Sequence, residues 1–358
     1  MRKVKLVVSD FHLGTGRYRA DGTRNYLEDF FFDEKFVEFL EFHRTGEFHD
    51  AEVELVINGD FFNLLQLNEV ARQEDLFTEE VCRELLRRVL DGHRKLFDAL
   101  ERFASVPRRS IAFVMGNHDP GLLFDSVQAL LRERLGERVS FHLDHLRFDA
   151  VHIEHGHRWD VLNDFDASRL FLTRGLPEPV VNLPWGAHYL IHVMAVEKAQ
   201  RPYIDKVTPF RRFLRWAVWN DTRWLLRLVR RSFAFLLHSI FTPKAHRRFR
   251  FLELAGKILR YSASPSLERE AAQLLEAQQC EIVVFGHTHH ALFREYPGGR
   301  TYLNTGTWNH VTSLEIEHLG RQVKLTYALL EWSERHERWD PHLREWKGYH
   351  REVEELHR

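Results

Sequence analysis

Apolar residues along this chain follow two rhythms. Short, nearly unbroken runs occupy Val4–Val8, Val53–Ile57, Ile111–Met115, Val151–Ile153 and Ile282–Phe285. Runs of that length, rich in Val and Ile, predict strands. Between them the spacing widens. Glu34–Phe42 carries Phe36, Val37, Phe39 and Leu40 at helical spacing and ends near Gly46. Glu79–Phe103 puts Val81, Leu85, Val89, Leu96 and Leu100 on one stripe, which predicts a single long amphipathic helix. Alternation of this kind, up to about His155, is the signature of βαβ units and an α/β fold with parallel strands. From Glu281 onward the rhythm is that of strands. Ala291–Tyr296 and Thr301–Leu303 flank a turn at Pro297-Gly298-Gly299, and alternation recurs at Leu314 and Ile316, then at Val323, Leu325 and Tyr327. From Ser333 the chain is polar and rich in Trp and Glu, which predicts surface helix or loop.

Composition narrows the class without naming a partner. The chain has 358 residues, 44% hydrophobic and 29% charged, with a net charge of −1. That fits one large globular domain with an insertion, or two domains. Cys82 and Cys280 stand alone, which suits buried thiols in a reducing cytosol. The first residues enter a strand at once, so no signal peptide is expected. The most apolar stretch, Val180–Val196, contains Asn182, Pro184, His188 and His192, which argues against a membrane span. The expectation is a cytoplasmic protein.

Charge is unevenly placed. Arg201–Arg260 holds 15 Lys and Arg against Asp205, Asp221 and Glu253, a local excess of +12 in a chain of net −1. The segment lies between two strand-rich blocks. It reads as an insertion, giving a catalytic domain over 1–160 and 281–332, a basic helical insertion over 161–280 and a tail over 333–358.

The candidate chemistry sits at strand ends. Each of five apolar runs is closely followed by a short polar piece: Asp10-Phe11-His12, Gly59-Asp60, Gly116-Asn117-His118-Asp119, His155-Gly156-His157 and Gly286-His287-Thr288-His289. Ligands gather at the carboxyl ends of strands in open α/β sheets. The pieces supply carboxylate, amide oxygen and imidazole but no thiolate, a donor set for two divalent cations rather than a structural zinc. Asp10, His12, Asp60, Asn117, His155, His287 and His289 are the candidate ligands, with Asp60 suited to bridge. Two such ions about 3.5–4 Å apart would neutralise a phosphate ester and supply a bridging hydroxide as nucleophile. Taken singly, these residues have ordinary explanations: Asp10 as a cap, Gly116-Asn117 as a turn. Together they describe one metal centre.

In this order the five pieces resemble the calcineurin-like metallophosphoesterases. The resemblance covers the N-terminal half and Glu281 to about Val311, including Asn304-Thr305-Gly306-Thr307-Trp308. It implies a four-layer α/β/β/α sandwich. It also implies one metal on Asp10, His12, Asp60 and His289, and another on Asp60, Asn117, His155 and His287. Mn²⁺ is the expected ion, with Fe²⁺, Zn²⁺ and Co²⁺ acceptable to the same donors. His118 matches the histidine that stabilises the transition state or protonates the leaving oxygen, and Asp119 would orient the turn or that histidine. One departure is Asn63, where the family often carries an acid.

Within the family, Ser9–Gly14 and Thr305–Trp308 look most like the branch containing UDP-2,3-diacylglucosamine diphosphatase. That resemblance implies a lipid-linked substrate met at a membrane surface beneath a helical lid. Known members of the branch have arginine where His118 stands. In the basic segment, Phe210, Phe213, Leu214, Ala217 and Val218 form a helical stripe, extended by Leu225, Leu228, Val229, Leu236 and Leu237. Arg211, Arg212, Arg215, Arg227, Arg230 and Arg231 lie beside it, with Trp216, Trp219 and Trp224. Such a helix fits the inner face of an anionic bilayer, and equally a cap packed on the catalytic domain. A nuclease holding nucleic acid on the same arginines is the alternative function. A non-catalytic scaffold is a third, disfavoured because every ligand position is filled. No obligate protein partner is implied. Arg17, just past the first metal loop, and His157 are the expected substrate contacts, and His310 is placed to face the cleft.

Overall fold

The computed structural model describes residues 1–19, 21–66, 76–242, 249, 251–260, 267–277, 280–315, 319–348 and 354–355. Ile316, part of the basic segment and most of the last ten residues lie outside the described residues. In chain order the strands are β1 (Lys3–Val8), β2 (Glu52–Asn58), β3 (Arg109–Val114), β4 (Val139–His142), β5 (Leu146–Phe148), β6 (Val151–Ile153), β7 (Phe171–Leu172), β8 (Val180–Val181) and β9 (Val207–Thr208). They continue with β10 (Ile282–Phe285), β11 (Ala291–Tyr296), β12 (Arg300–Thr305), β13 (His310–Ser313), β14 (Gly320–Val323), β15 (Thr326–Ser333), β16 (Arg338–Glu345) and β17 (Glu354–Glu355). One sheet runs β17-β16-β15-β1-β2-β3-β4 and a second runs β11-β12-β10-β6-β5.

The pleat of the apolar runs produces the layers. In β1, Val4, Leu6 and Val8 face a core built with Phe36 and Phe39 of the helix Asp33–Arg44 and Leu96, Leu100 and Phe103 of the helix Arg94–Ser105. Val7 points the other way, with Val56, Ala112 and Val114, into a core shared with Ile153, Ile282, Val284 and Leu303 of the second sheet. Val283 and Phe285 face outward again, onto Ala271, Leu274 and Leu275 of the helix Glu268–Ala277. Helices, sheet, sheet and helix follow in that order, the four-layer α/β/β/α sandwich expected. Each fully buried Val, Leu or Ile contributes about 1.5–3 kcal/mol, so strands buried on both faces lock the register. Val8 pairs with Ile57, and Ile57 with Phe113, so β1, β2 and β3 end level with one another. On the second sheet, Val284 lies between Ile153 and Leu303.

Two elements depart from the sequence expectation. The stripe from Glu79 to Phe103 is broken into two helices, Glu79–Gly92 and Arg94–Ser105. A β-carbon on Gly92 would lie 2.4 Å from the Thr15 carbonyl carbon, so the helix ends where the first loop presses on it. His93 then turns away to meet Asp33 at 2.7 Å and Glu28 at 3.3 Å. The second departure is β16, in the stretch expected as surface helix or loop. It pairs with β15 from Arg338 to Glu345 and buries Leu343, because its apolar alternation is hidden among charges.

In the basic stretch, the helices Phe210–Asn220 and Thr222–Phe241 are joined at Asp221, whose carboxylate caps the second at Trp224 N. Ala217, Trp224 and Leu228 pack against Val193 and Ile204, with Phe213 and Leu214 alongside. Most of the expected stripe is therefore a packed seam. Val218, Val229 and Leu237 lie outside it and are exposed.

Candidate metal centre

The five polar pieces meet where β1, β2, β3, β6 and β10 end. Asp10, His12, Asp60, His287 and His289 all take left-handed backbone, with φ between 49° and 66°. For non-glycine residues this costs about 1–3 kcal/mol each, and five at one place indicate strain held for function. Phe11 pins the first loop. Its ring is buried, stacked 5.1 Å from Trp308 and 5.0 Å from Phe30, so the flanking Asp10 and His12 turn to the other side. Two glycines permit the close approach. At Gly59 (φ 80°) a β-carbon would stand 2.4 Å from the His155 ring, and at Gly116 it would stand 2.2 Å from Asp60 N.

The carboxylates are oriented by their second oxygens. Asp10 Oδ2 accepts from His287 N at 3.0 Å and from Ser9 Oγ. The Asp10 carbonyl accepts from Thr307 Oγ1 at 2.6 Å, and the Phe11 carbonyl from Asn309 Nδ2 at 2.7 Å. Asp60 Oδ1 accepts from His118 N at 2.8 Å. Its Oδ2 is left 3.2 Å from His155 Nε2 and 3.9 Å from His12 Nε2, between the two halves of the site. His155 donates Nδ1–H to Asn58 O at 2.9 Å, which turns Nε2 inward.

Three overlapping groups have ligand atoms within 4.8 Å of one another: Asp10, His12 and His289; His12, Asp60 and His118; and Asp60, His155 and His287. His12 Nε2 lies 3.0 Å from His289 Nε2, and His289 Nε2 lies 3.2 Å from Asp10 Oδ1. Two ligands about 2.1 Å from one ion at roughly right angles stand about 3 Å apart, so the spacings fit shared cations. Asn117 Oδ1 is buried and makes no hydrogen bond, while Asp10 Oδ1 and His155 Nε2 meet other candidate ligands, His289 and Asp60, a crowding of buried polar atoms that a cation would relieve.

Charge follows the same logic. Burial opposes ionisation of Asp10 and Asp60, yet His155 and its neighbours outweigh it and hold both carboxyls below their usual range. Burial likewise opposes a charge on His155, and Asp60 and Asp10 overcome it, raising the imidazole to about 10. Metal binding at His155 would therefore release a proton. His12 is driven the other way, to about 3, by burial and the neighbouring His118.

The other expected residues are sorted by the geometry. Asp119 accepts from Phe62 N at 2.9 Å and from Gly116 N at 3.0 Å, bracing the loops after β2 and β3 together. It is Asn63 that meets His118, at 3.0 Å from Nδ1. The His118 ring stands edge-on to His12 at 4.6 Å. His157 is buried between His155 and Phe165. Arg17 donates to Phe31 O at 2.7 Å and pairs with Glu34, so a substrate contact would require it to leave both. His310 packs on Phe32 at 4.9 Å.

One participant was missed from the sequence. Asp160 Oδ2 lies 3.3 Å from His287 Nε2 and is itself held by Asn163 Nδ2 at 2.8 Å. A carboxylate on one imidazole nitrogen leaves the other for a metal. Its position five residues beyond His155 was the available signal.

The sequence profile of the calcineurin-like phosphoesterases matches residues 5–291. No curated protein matches the chain. Solved structures similar to it include a dimetal phosphatase from Danio rerio, 12% identical over 99% of this chain and 98% of that one, with a TM-score of 0.38. Vps29 from Entamoeba histolytica, complexed with Zn²⁺, is 11% identical over 99% and 98%, with a TM-score of 0.29. The phosphopantetheinyl hydrolase of Mycobacterium tuberculosis is 12% identical over 86% and 90%, with a TM-score of 0.29.

Proposed function

The chain belongs to the calcineurin-like phosphoesterase family and is a metal-dependent phosphoesterase; from that premise we propose that it hydrolyses a phosphate ester or diphosphate of an amphiphilic molecule. The observation that carries the chemistry is the convergence of Asp10, His12 and His289 with Asp60, His155 and His287 at one centre, with Asn117 Oδ1 buried and unpartnered next to His118. Asp10, His12, Asp60 and His289 would hold one cation, and Asp60, Asn117, His155 and His287 the other, with Mn²⁺ favoured. Two cations there would neutralise phosphate oxygens and lower the pKa of water. The protein's own contribution is placement. Asp60 joins the two halves, Asp160 fixes His287, and His118 presents its outer nitrogen to a leaving oxygen.

The amphiphilic substrate is supported by the surface of the helices Phe210–Asn220 and Thr222–Phe241. Trp219 is 87% exposed and Phe241 78%, with Trp216, Leu226 and Phe233 also open to solvent. Arg211, Arg212, Arg215, Arg223, Arg227 and Arg230 are exposed on the same pair of helices. Exposed Trp and Phe beside arginine suit the interface of an anionic membrane, met peripherally. No helix among the described residues is long and apolar enough to cross a bilayer. A nucleotide–lipid diphosphate such as UDP-diacylglucosamine is the fitting probe.

Phosphorus NMR of the Mn²⁺-loaded protein acting on UDP-diacylglucosamine in mixed micelles tests this, with bis-(p-nitrophenyl) phosphate in parallel. Release of UMP and a lipid monophosphate is the expected result. Hydrolysis of the small diester alone would keep the metal chemistry and remove the lipid substrate. A salt-steep affinity for oligonucleotides, with none for anionic liposomes, would turn the surface into a nucleic-acid site.

A further inference from the structure

A buried polar chain runs from behind His118 into the segment that precedes the basic helices. Asn63 Oδ1 lies 3.0 Å from His118 Nδ1, and Asn63 Nδ2 donates to Asp29 Oδ2 at 3.3 Å. Asp29 is gripped by two lysines. Lys198, on the helix Ala195–Gln200, pairs with Oδ2, and Lys206 pairs with Oδ1 at 2.8 Å. Lys198 also pairs with Asp205 at 2.7 Å. Asn63, Asp29 and Lys198 are all buried, at 1%, 5% and 1% exposure. These residues lie far apart in sequence, and buried ion pairs of this kind often add little net stability over apolar residues of similar volume.

We propose that Lys198 and Lys206 are positioning residues for His118, acting through Asp29 and Asn63 to hold its imidazole in the Nδ1-protonated tautomer. The argument is one of donors and acceptors. An ionised carboxylate only accepts, so Asp29 can take only the amide nitrogen of Asn63. The amide oxygen must then face His118, and an oxygen there can only accept from Nδ1–H. Nε2, left bare, can take a proton from water at the site and, with the ring still held through Nδ1–H, pass it to a leaving oxygen. The two lysines matter because Asp29, buried without them, would take up a proton. A protonated Asp29 can donate, the Asn63 amide can turn over, and the tautomer of His118 is no longer fixed. Asn63, standing where the family often has an acid, thus passes on an orientation set by a charge cluster one residue further back.

Two-bond proton–nitrogen correlation spectra of ¹⁵N-histidine-labelled protein test this directly, metal-free and loaded with diamagnetic Zn²⁺, with His118→Gln identifying the signal. Wild type should show His118 as the Nδ1–H tautomer. Asn63→Ala and the pair Lys198→Met, Lys206→Met should shift it toward Nε2–H, while Lys198→Arg should retain the wild-type pattern. An Nε2–H signal in wild type, or a pattern unmoved by Asn63→Ala, would overturn the proposal even where the lysine variant fails to fold. The kinetic consequence rests on the function proposed above. The lysine variant should lose about 10-fold or more in kcat on an alkyl phosphodiester relative to bis-(p-nitrophenyl) phosphate, whose leaving group needs no proton, with KM unchanged. Equal loss on both esters would contradict the positioning role. A wild type inactive on both would overturn the proposed function and leave the tautomer to be decided by the spectra.

Discussion

At the scale of single residues, Asp60 carries the most consequence. One oxygen is spent on His118 N, and the other stands between His155 and His12. Asp60→Ala should therefore abolish turnover and lower bound metal below two equivalents, with circular dichroism unchanged. Retained activity, with metal content measured by plasma mass spectrometry, would contradict the bridging role. The seven proposed ligands were legible because each lies within a few residues of a strand end, where an apolar run stops and a metal donor begins. Asn63's partner Asp29 was not, nor were Lys198 and Lys206. Buried ion pairs between distant positions leave no local pattern, and a lysine with no apolar rhythm around it reads as a solvated surface. Asp160 was missed for a different reason. It acts through His287, and one acid in a polar loop carries no weight until that neighbour is known.

At the scale of elements, the junction between the helices Glu79–Gly92 and Arg94–Ser105 shows how the first loop is anchored. Glu28 accepts from Gly14 N at 3.0 Å and from Phe30 N at 3.0 Å, and His93 bridges it to Asp33. Burial opposes a charge on His93, but Asp33 and Glu28 prevail and raise it from 6.5 to about 9. A raised histidine stabilises the fold fully below its unfolded pKa and loses that contribution as pH climbs through the folded value. Stability should thus fall between pH 6.5 and 9, by about 3 kcal/mol from this group. Urea midpoints across that range should show the decline in wild type and lack it in His93→Gln, which should also be weaker at pH 6. The same slope in both would contradict the assignment. The sequence showed the helical stripe but not its interruption, because a single Gly costs a helix only about 1 kcal/mol and is tolerated within one; its meaning lies in Thr15, far away in sequence. In β16, charges on the outward face masked Trp339 and Leu343.

At the scale of the whole molecule, positive charge and exposed apolar surface are gathered on the helices Phe210–Asn220 and Thr222–Phe241. The +12 excess over Arg201–Arg260 was plain in the sequence, as was the helical stripe. Which side of the stripe packs was not, since periodicity marks an apolar face without saying whether protein or another phase covers it. Trp224 and Ala217 went inward, while Trp219 and Phe241 stayed out. Trp219→Ser with Phe241→Ser should leave the fold and small-diester hydrolysis intact while reducing flotation with anionic liposomes at least several-fold. Undiminished flotation would remove these helices as the contact. The claim on which the rest depends is that the strand ends hold two cations sharing Asp60. Anomalous diffraction from crystals grown with Mn²⁺ tests it most directly. Two peaks about 3.5–4 Å apart are predicted, one among Asp10, His12 and His289, the other among Asn117, His155 and His287, with Asp60 between them. A single peak, or two that do not share Asp60, would contradict it.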